Sequence, residues 1–247
     1  MATRTKIPVE LVTNLTDQEL EHVVELHIKA YSGSEYYEGV LAGDWSLFPT
    51  QARAFYRGAL LGGLIYAVRA PEGGPMSGQI VALGIFFKPG TGVFATEAQR
   101  SLGYNQWLAS LKPELQTWHT TVVSVLRLAG QQKQIAKANL DFVSSLRTIA
   151  KLSWNRCTPM RQERARRWWC SGLLTDPEFQ GKGYAKAIMN TVFEKVCETD
   201  GFLGLATSAP LHGAKYEAMG FTARGAYQLP TPLGEMELTL YDRIQNA

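Results

Sequence analysis

The stretch Cys170 to Val196, CSGLLTDPEFQGKGYAKAIMNTVFEKV, constrains this chain more than any other. A β-rich run ends at Thr175, Asp176-Pro177 breaks it, and Gln180-Gly-Lys-Gly183-Tyr-Ala185 opens the next element. There Ala185, Ile188, Met189, Val192, Phe193 and Val196 recur at i, i+3, i+4, i+7, i+8 and i+11, which predicts an amphipathic helix. A helix entered this way leaves its first four N–H groups unpaired at the positive end of its dipole, and glycines let an anion approach the backbone. Two readings of the turn stand side by side. It is a seat for a pyrophosphate, with Lys182 adding a mobile positive charge, or a strand-to-helix turn that needs glycine for its dihedrals. It lacks GxxxxGK[ST], so it is not a P-loop. It also lacks GxGxxG and lies late in the chain, so it is not a first Rossmann turn, which argues against ATP and NAD.

Around this stretch the pattern alternates. Upstream, PVELVT (8–13) reads as a short strand, and Thr16 with Glu19 forms a capping box for a helix whose apolar face carries Leu20, Val23, Val24, His27 and Ile28. Gly33 stops that helix, and a second, TQARAFYRGALLGG, follows Pro49. LIYAVRA and QIVALGIFF read as a hairpin across PEGGPMSG. From about 96 to 150 the chain reads as a mainly helical insert, with Leu115, Trp118, Val122, Val125 and Leu126 at helical spacing. Downstream, RWWCSGLLT, the glycine turn, a helix, LGLATS, a further helix and two closing strands predict an α/β or α+β sheet. No repeat or linker divides the chain, so 1–247 reads as one domain.

Composition narrows the class. Of 247 residues, 45% are hydrophobic and 19% charged, which excludes a disordered chain. Cys157, Cys170 and Cys197 include no CxxC pair, so neither a disulfide framework nor a metal site is expected, and a reducing, cytoplasmic setting fits. No apolar run approaches the roughly 18 residues that span a bilayer. The net charge of +3 argues against a nucleic-acid partner. Its one concentration is KLSWNRCTPMRQERARR (151–167), with Lys151, Arg156, Arg161, Arg164, Arg166 and Arg167 against Glu163. That run reads as a solvated connector rather than a nucleic-acid patch, or as an anion-attracting rim near a phosphorylated cofactor.

Gln180-Gly-Lys-Gly183-Tyr-Ala185 resembles the Gln/Arg-x-x-Gly-x-Gly/Ala signature of the GNAT superfamily of N-acetyltransferases. LATSAPLHGAKYEAMGF (205–221), ending in Tyr216-Glu217-Ala-Met-Gly220-Phe221, resembles that family's later motif. The specific part is about 165–225, and the helical insert looks most like fungal members. The resemblance implies a GNAT fold, a mixed and mostly antiparallel sheet flanked by helices and splayed between its two central strands. It also implies acyl transfer from acetyl-CoA to an amine, without a metal. By the same resemblance Gln180, Gly181, Lys182, Gly183, Tyr184 and Ala185 hold the pyrophosphate, Leu174 and Thr175 flank the pantetheine arm, and Tyr216 protonates the departing thiolate. The ordinary tyrosine pKa near ~10 suits such an acid, and the alternative for Tyr216 is a core aromatic.

The chain departs from the pattern at Thr175, where an aliphatic residue is usual, and at Gly213, where many members have an Asn. No base is assigned. His27 and His119 read as structural, whereas His212 and Lys215 are candidates to reach CoA phosphates or are solvated. The acceptor pocket is expected to draw on Tyr31, Tyr36, Tyr37, Trp45, Phe48, Trp168 and Trp169. Such a pocket suits an apolar or aromatic small-molecule amine, and the basic run before Trp168 argues against a polycationic acceptor. A protein N-acetyltransferase with an open groove and a non-catalytic CoA-binding module are the alternatives. The oligomeric state is expected to be a monomer or homodimer.

Overall fold

The computed structural model describes residues 6–123 and 165–245. β1 (Glu10–Val12) precedes α1 (Asp17–Ala30), where Thr16 Oγ1 accepts from the Glu19 N–H and the Glu19 carboxylate accepts from the Thr16 N–H. This is the expected capping box, and it satisfies donors that a helix start otherwise leaves open. After Gly33, at φ +76°, comes a short helix the sequence reading did not include, α2 (Glu35–Val40). α3 (Phe48–Gly62) and the hairpin of β2 (Leu64–Arg69) with β3 (Ile80–Phe87) follow. Next come α4 (Glu97–Arg100), α5 (Tyr104–Ser110), α6 (Pro113–Trp118) and a π-helical turn over His119–Val123. The expected insert of about 96–150 is thus a set of short helices up to Trp118. Beyond residue 123 that expectation, with Val125 and Leu126, lies outside the described residues.

The chain continues through β4 (Arg167–Thr175), α7 (Tyr184–Cys197), β5 (Phe202–Thr207), α8 (Pro210–Glu217), β6 (Thr222–Thr231) and β7 (Gly234–Ile244). The strands form one sheet in the order β1-β2-β3-β4-β5-β7-β6. Every neighbouring pair is antiparallel except β4 with β5. β3 is buried along its whole length because helices cover both of its faces, which is why its sequence is a continuous apolar run rather than an alternation. Leu83, Ile85 and Phe87 join the core shared with α1 and α3, and Ala82 and Phe86 join the core beneath α7. At Gly84 a β-carbon would overlap the Phe86 ring first and then the Ile188 side chain, so the bare backbone makes room for Phe86 beneath α7.

The feature that positions the site is a parting of β4 from β5. The two pair only from Arg167–Phe202 to Trp169–Gly204. On the other edge of β4, Gly172 pairs with Ile85 and Cys170 with Phe86, so Ser171 is an extra residue with no partner in β3. A bulge of this kind bends its strand and strengthens the twist, and beyond it β4 and β5 diverge. This is the splay expected between the central strands.

Candidate active site

The glycine turn is built from below by Asp176. Its buried carboxylate accepts from the Glu178 N–H at 2.9 Å and from the Lys29 ammonium of α1 at 3.0 Å. The chain then makes a tight turn over Pro177–Phe179 and passes Gly181 at φ +75° to reach Gly183 at φ +85°. Gly183 is the N-cap of α7 and offers no side chain to its first amides. A β-carbon at Gly181 would meet nothing within 4 Å, and one at Gly183 only Ile7 Cδ1 at 3.7 Å. The turn is therefore an uncapped, sterically open helix N-terminus, and its residues fit a pyrophosphate group.

That turn opens into a cavity of about 1560 Å³ that also reaches the splay and the ends of α1 and α2. Gln180, Gly181, Gly183, Tyr184, Ala185, Leu174, Thr175 and Tyr216 all line it. Lys182 does not. It is exposed, and its ammonium lies over the Phe179 ring at 4.2 Å. His212 and Lys215 line the same cavity, and burial, followed by the charge of Lys215, lowers the His212 pKa. In the basic run, Arg166 pairs with Asp200 at 2.8 Å, and Arg167 stacks on Trp169 at the cavity wall. The remainder, from Lys151 to Arg164, lies outside the described residues.

At the centre, Tyr216 packs edge-on against Phe221 and tilted against Tyr241, with ring centroids 5.9 and 5.8 Å away. Burial, with smaller contributions from Tyr31, Cys170 and Tyr241, holds its pKa well above 10, so the phenol keeps its proton at neutral pH. The departure at Gly213 has a physical reason, since a β-carbon there would overlap the Tyr241 hydroxyl. Across the splay, the Tyr31 hydroxyl donates to the Leu173 carbonyl at 3.2 Å, and burial raises its pKa to about 12. Cys170 lines the same space, with its thiol pushed up to about 12 by burial.

The far end is aromatic. Tyr31, Tyr36, Tyr37, Phe48 and Phe55 line it around His27, which is 1% exposed. His27 Nε2 lies 2.8 Å from the Tyr37 hydroxyl and Nδ1 lies 3.0 Å from the Tyr56 hydroxyl. Burial lowers its pKa to about 3, so the imidazole is neutral. Two expected pocket residues lie elsewhere. Trp168 is buried on the α7 side with its indole N–H on Thr199, because adjacent strand residues face opposite ways and Trp169 takes the cavity side. Trp45 packs behind Tyr37 and bonds Glu38. The reading also missed Phe55 and Gln51, whose buried Oε1 has no partner among the described residues. Both sit on the α3 face that meets α1, a placement that helical periodicity alone does not distinguish from core.

This end is walled on three sides. His119 Nε2 hydrogen-bonds the Val40 carbonyl at 2.9 Å, and the Trp118 indole N–H donates to the Pro230 carbonyl at 2.9 Å. These bonds tie the segment after α5 both to α2 and to the β6–β7 hairpin. Trp118, His119, Tyr227 and Leu229 all line the cavity.

Residues 148–221 match the model of the acetyltransferase (GNAT) family. A search of curated proteins finds no match. Among solved structures, a Corynebacterium glutamicum protein described as histone acetyltransferase HPA2 and related acetyltransferase is similar at TM-score 0.52 and 13% identity, over 97% of this chain and 98% of its own. Arylalkylamine N-acetyltransferase 2 of Aedes aegypti is similar at TM-score 0.52 and 11% identity, over 96% and 99%. The mosquito arylalkylamine N-acetyltransferase-like 5b gives 0.52 and 10%, over 96% and 100%. The chain thus has the GNAT fold, and its residues 148–221 carry the sequence pattern of the acetyltransferase (GNAT) family.

Proposed function

We propose that this chain is an acetyl-CoA-dependent N-acetyltransferase that acts on a primary amine of a small molecule by direct attack in a ternary complex. One observation carries the reading. A single cavity joins the open glycine turn, the parted β4 and β5, Tyr216 and an aromatic end closed by α2, the Trp118–His119 segment and the β6–β7 hairpin. A donor and an acceptor bound at its two ends meet at the splay, and among the described residues the walls that α2, Trp118–His119 and the β6–β7 hairpin raise around the aromatic end favour a small acceptor.

In this reading the amides from Gly181 to Ala185, with Gln180 and Tyr184, hold the pyrophosphate, and Lys182 contributes charge from the rim rather than a contact. Leu174 and Thr175 flank the pantetheine arm, whose amides run along the β4 backbone where its pairing with β5 has ended. Bound acetyl-CoA supplies a thioester, an activated acyl group. The neutral amine forms the new N–C bond as the C–S bond breaks. Tyr216 delivers its proton to the departing sulfur and recovers one from solvent, while the amine's surplus proton leaves to water. The aromatic end favours an apolar or aromatic amine, since ring faces bury large areas. Free Cys170 and Cys197 suit a reducing, cytoplasmic setting, and we expect a monomer or homodimer that works without a metal or nucleic acid.

The test is incubation with acetyl-CoA and a panel of monoamines, diamines and peptides, following free thiol. Amine-dependent release with aromatic monoamines supports the reading. Release with peptides alone, or CoA binding without release on any acceptor, contradicts it.

A further inference from the structure

The hydrogen bonds around His27 have a direction, and it follows from where protons can be satisfied. Tyr56 is 0% exposed, and its hydroxyl bonds His27 Nδ1 and no other group among the described residues. If Nδ1 carried the proton, the Tyr56 hydrogen would be buried with nothing to accept it, a cost native interiors avoid. Tyr56 therefore donates to Nδ1. A neutral imidazole with an unprotonated Nδ1 carries its hydrogen on Nε2, so Nε2–H donates to the Tyr37 oxygen at 2.8 Å. No described protein group then accepts the Tyr37 proton, and Tyr37 lines the cavity. The neighbouring Tyr31 differs, since its proton is committed to the Leu173 carbonyl.

We propose that Tyr37 is the specificity residue of the acceptor pocket, and that the Tyr56–His27 chain makes it present a hydrogen-bond donor to an oxygen acceptor carried on the ring of an aromatic amine. The inference rests on the acetyl-transfer reading for the identity of the pocket and on this chain for its polarity. A freely rotating hydroxyl serves as donor or acceptor indifferently. One whose oxygen is already occupied by an imidazole N–H is biased towards donation. His27 is a positioning residue in this scheme, because it acts on a ligand only through Tyr37.

The test uses CoA-saturated protein and matched ring-substituted phenethylamines, 3- or 4-methoxy against 3- or 4-ethyl, which differ chiefly by one acceptor oxygen. Calorimetry is expected to show roughly tenfold tighter binding of the methoxy member in at least one pair, falling to under about threefold in Tyr37→Phe. Independently of any variant, ¹⁵N spectra of the wild-type protein are expected to show His27 with its hydrogen on Nε2. Equal or absent binding of both members of every pair, a preference that survives Tyr37→Phe, or a hydrogen on Nδ1 overturns the proposal. Acetylation of both members at equal kcat/KM sinks the Tyr37 role alone. Selective binding without thiol release sinks the acetyl-transfer reading alone.

Discussion

Lys29, in the last turn of α1, reaches across to Asp176 at the base of the glycine turn, ammonium to carboxylate at 3.0 Å, and to Glu178 at 2.9 Å. The same turn of α1 carries His27 into the aromatic end, and Tyr31 at its C-cap reaches the Leu173 carbonyl. One helix end therefore touches the aromatic end, the splay and the glycine turn. Asp176→Ala removes the ion pair together with the bond to the Glu178 amide. It is expected to destabilise the fold by about 1.5–3 kcal/mol and to weaken acetyl-CoA binding, read by urea unfolding and calorimetry. Unchanged affinity for acetyl-CoA would show that the turn holds its shape without Asp176.

Tyr216→Phe removes a hydroxyl and leaves the ring packing on Phe221 and Tyr241 in place. We expect kcat to fall by about 10²-fold or more with little change in the Kd for acetyl-CoA, because a general acid acts in the transition state. Turnover at the wild-type rate would return Tyr216 to the role of a core aromatic.

Gly213 lies against the Tyr241 hydroxyl. Gly213→Asn is expected to cost about 1–3 kcal/mol through overpacking. The same substitution in a Tyr241→Phe background should cost less, a coupling that a double-mutant cycle measures directly. Additive effects would show that the hydroxyl is not what excludes the side chain.

His27 makes stability depend on pH in a definite direction. Its folded-state pKa of about 3 lies below the ordinary 6.5, so the unfolded chain takes up the proton first as pH falls. Its contribution is complete above about pH 6.5 and declines towards pH 3, at a slope of up to about 1.4 kcal/mol per pH unit. Carboxylates with lowered pKa, Glu19 and Glu21 among them, add to the loss only nearer 4.5, so the diagnostic window is pH 6 to 5. There the wild type should lose about 1 kcal/mol more than His27→Gln in urea titrations. Parallel curves would mean that His27 protonates in the folded state as readily as in water.

Local signals wrote much of this fold plainly into the sequence. The Thr16–Glu19 box and the stripe of Ile188, Met189, Val192 and Val196 each settle a helix through neighbours a few residues away. The glycine turn is legible for the same reason, since Gly181 and Gly183 occupy dihedrals that other residues resist. Features held by distant partners were not legible. α2 is only six residues long with no apolar stripe of its own, and it packs where Gly39 meets Thr231 of the closing hairpin. The Ser171 bulge depends on register with β3, which no local pattern encodes. Trp168 and Trp169 look alike in the sequence, and only the strand's alternation separates core from cavity. The direction of the Tyr56–His27–Tyr37 chain emerges only when residues from α1, α2 and α3 converge.

The most direct test of acetyl transfer within this one cavity is an initial-rate study that varies acetyl-CoA and an aromatic monoamine together, with N-acetyl product and free thiol both quantified. Intersecting double-reciprocal lines and a one-to-one yield of thiol and N-acetyl amine are the predicted result. Tight acetyl-CoA binding with no amine-dependent thiol release across the panel would contradict it.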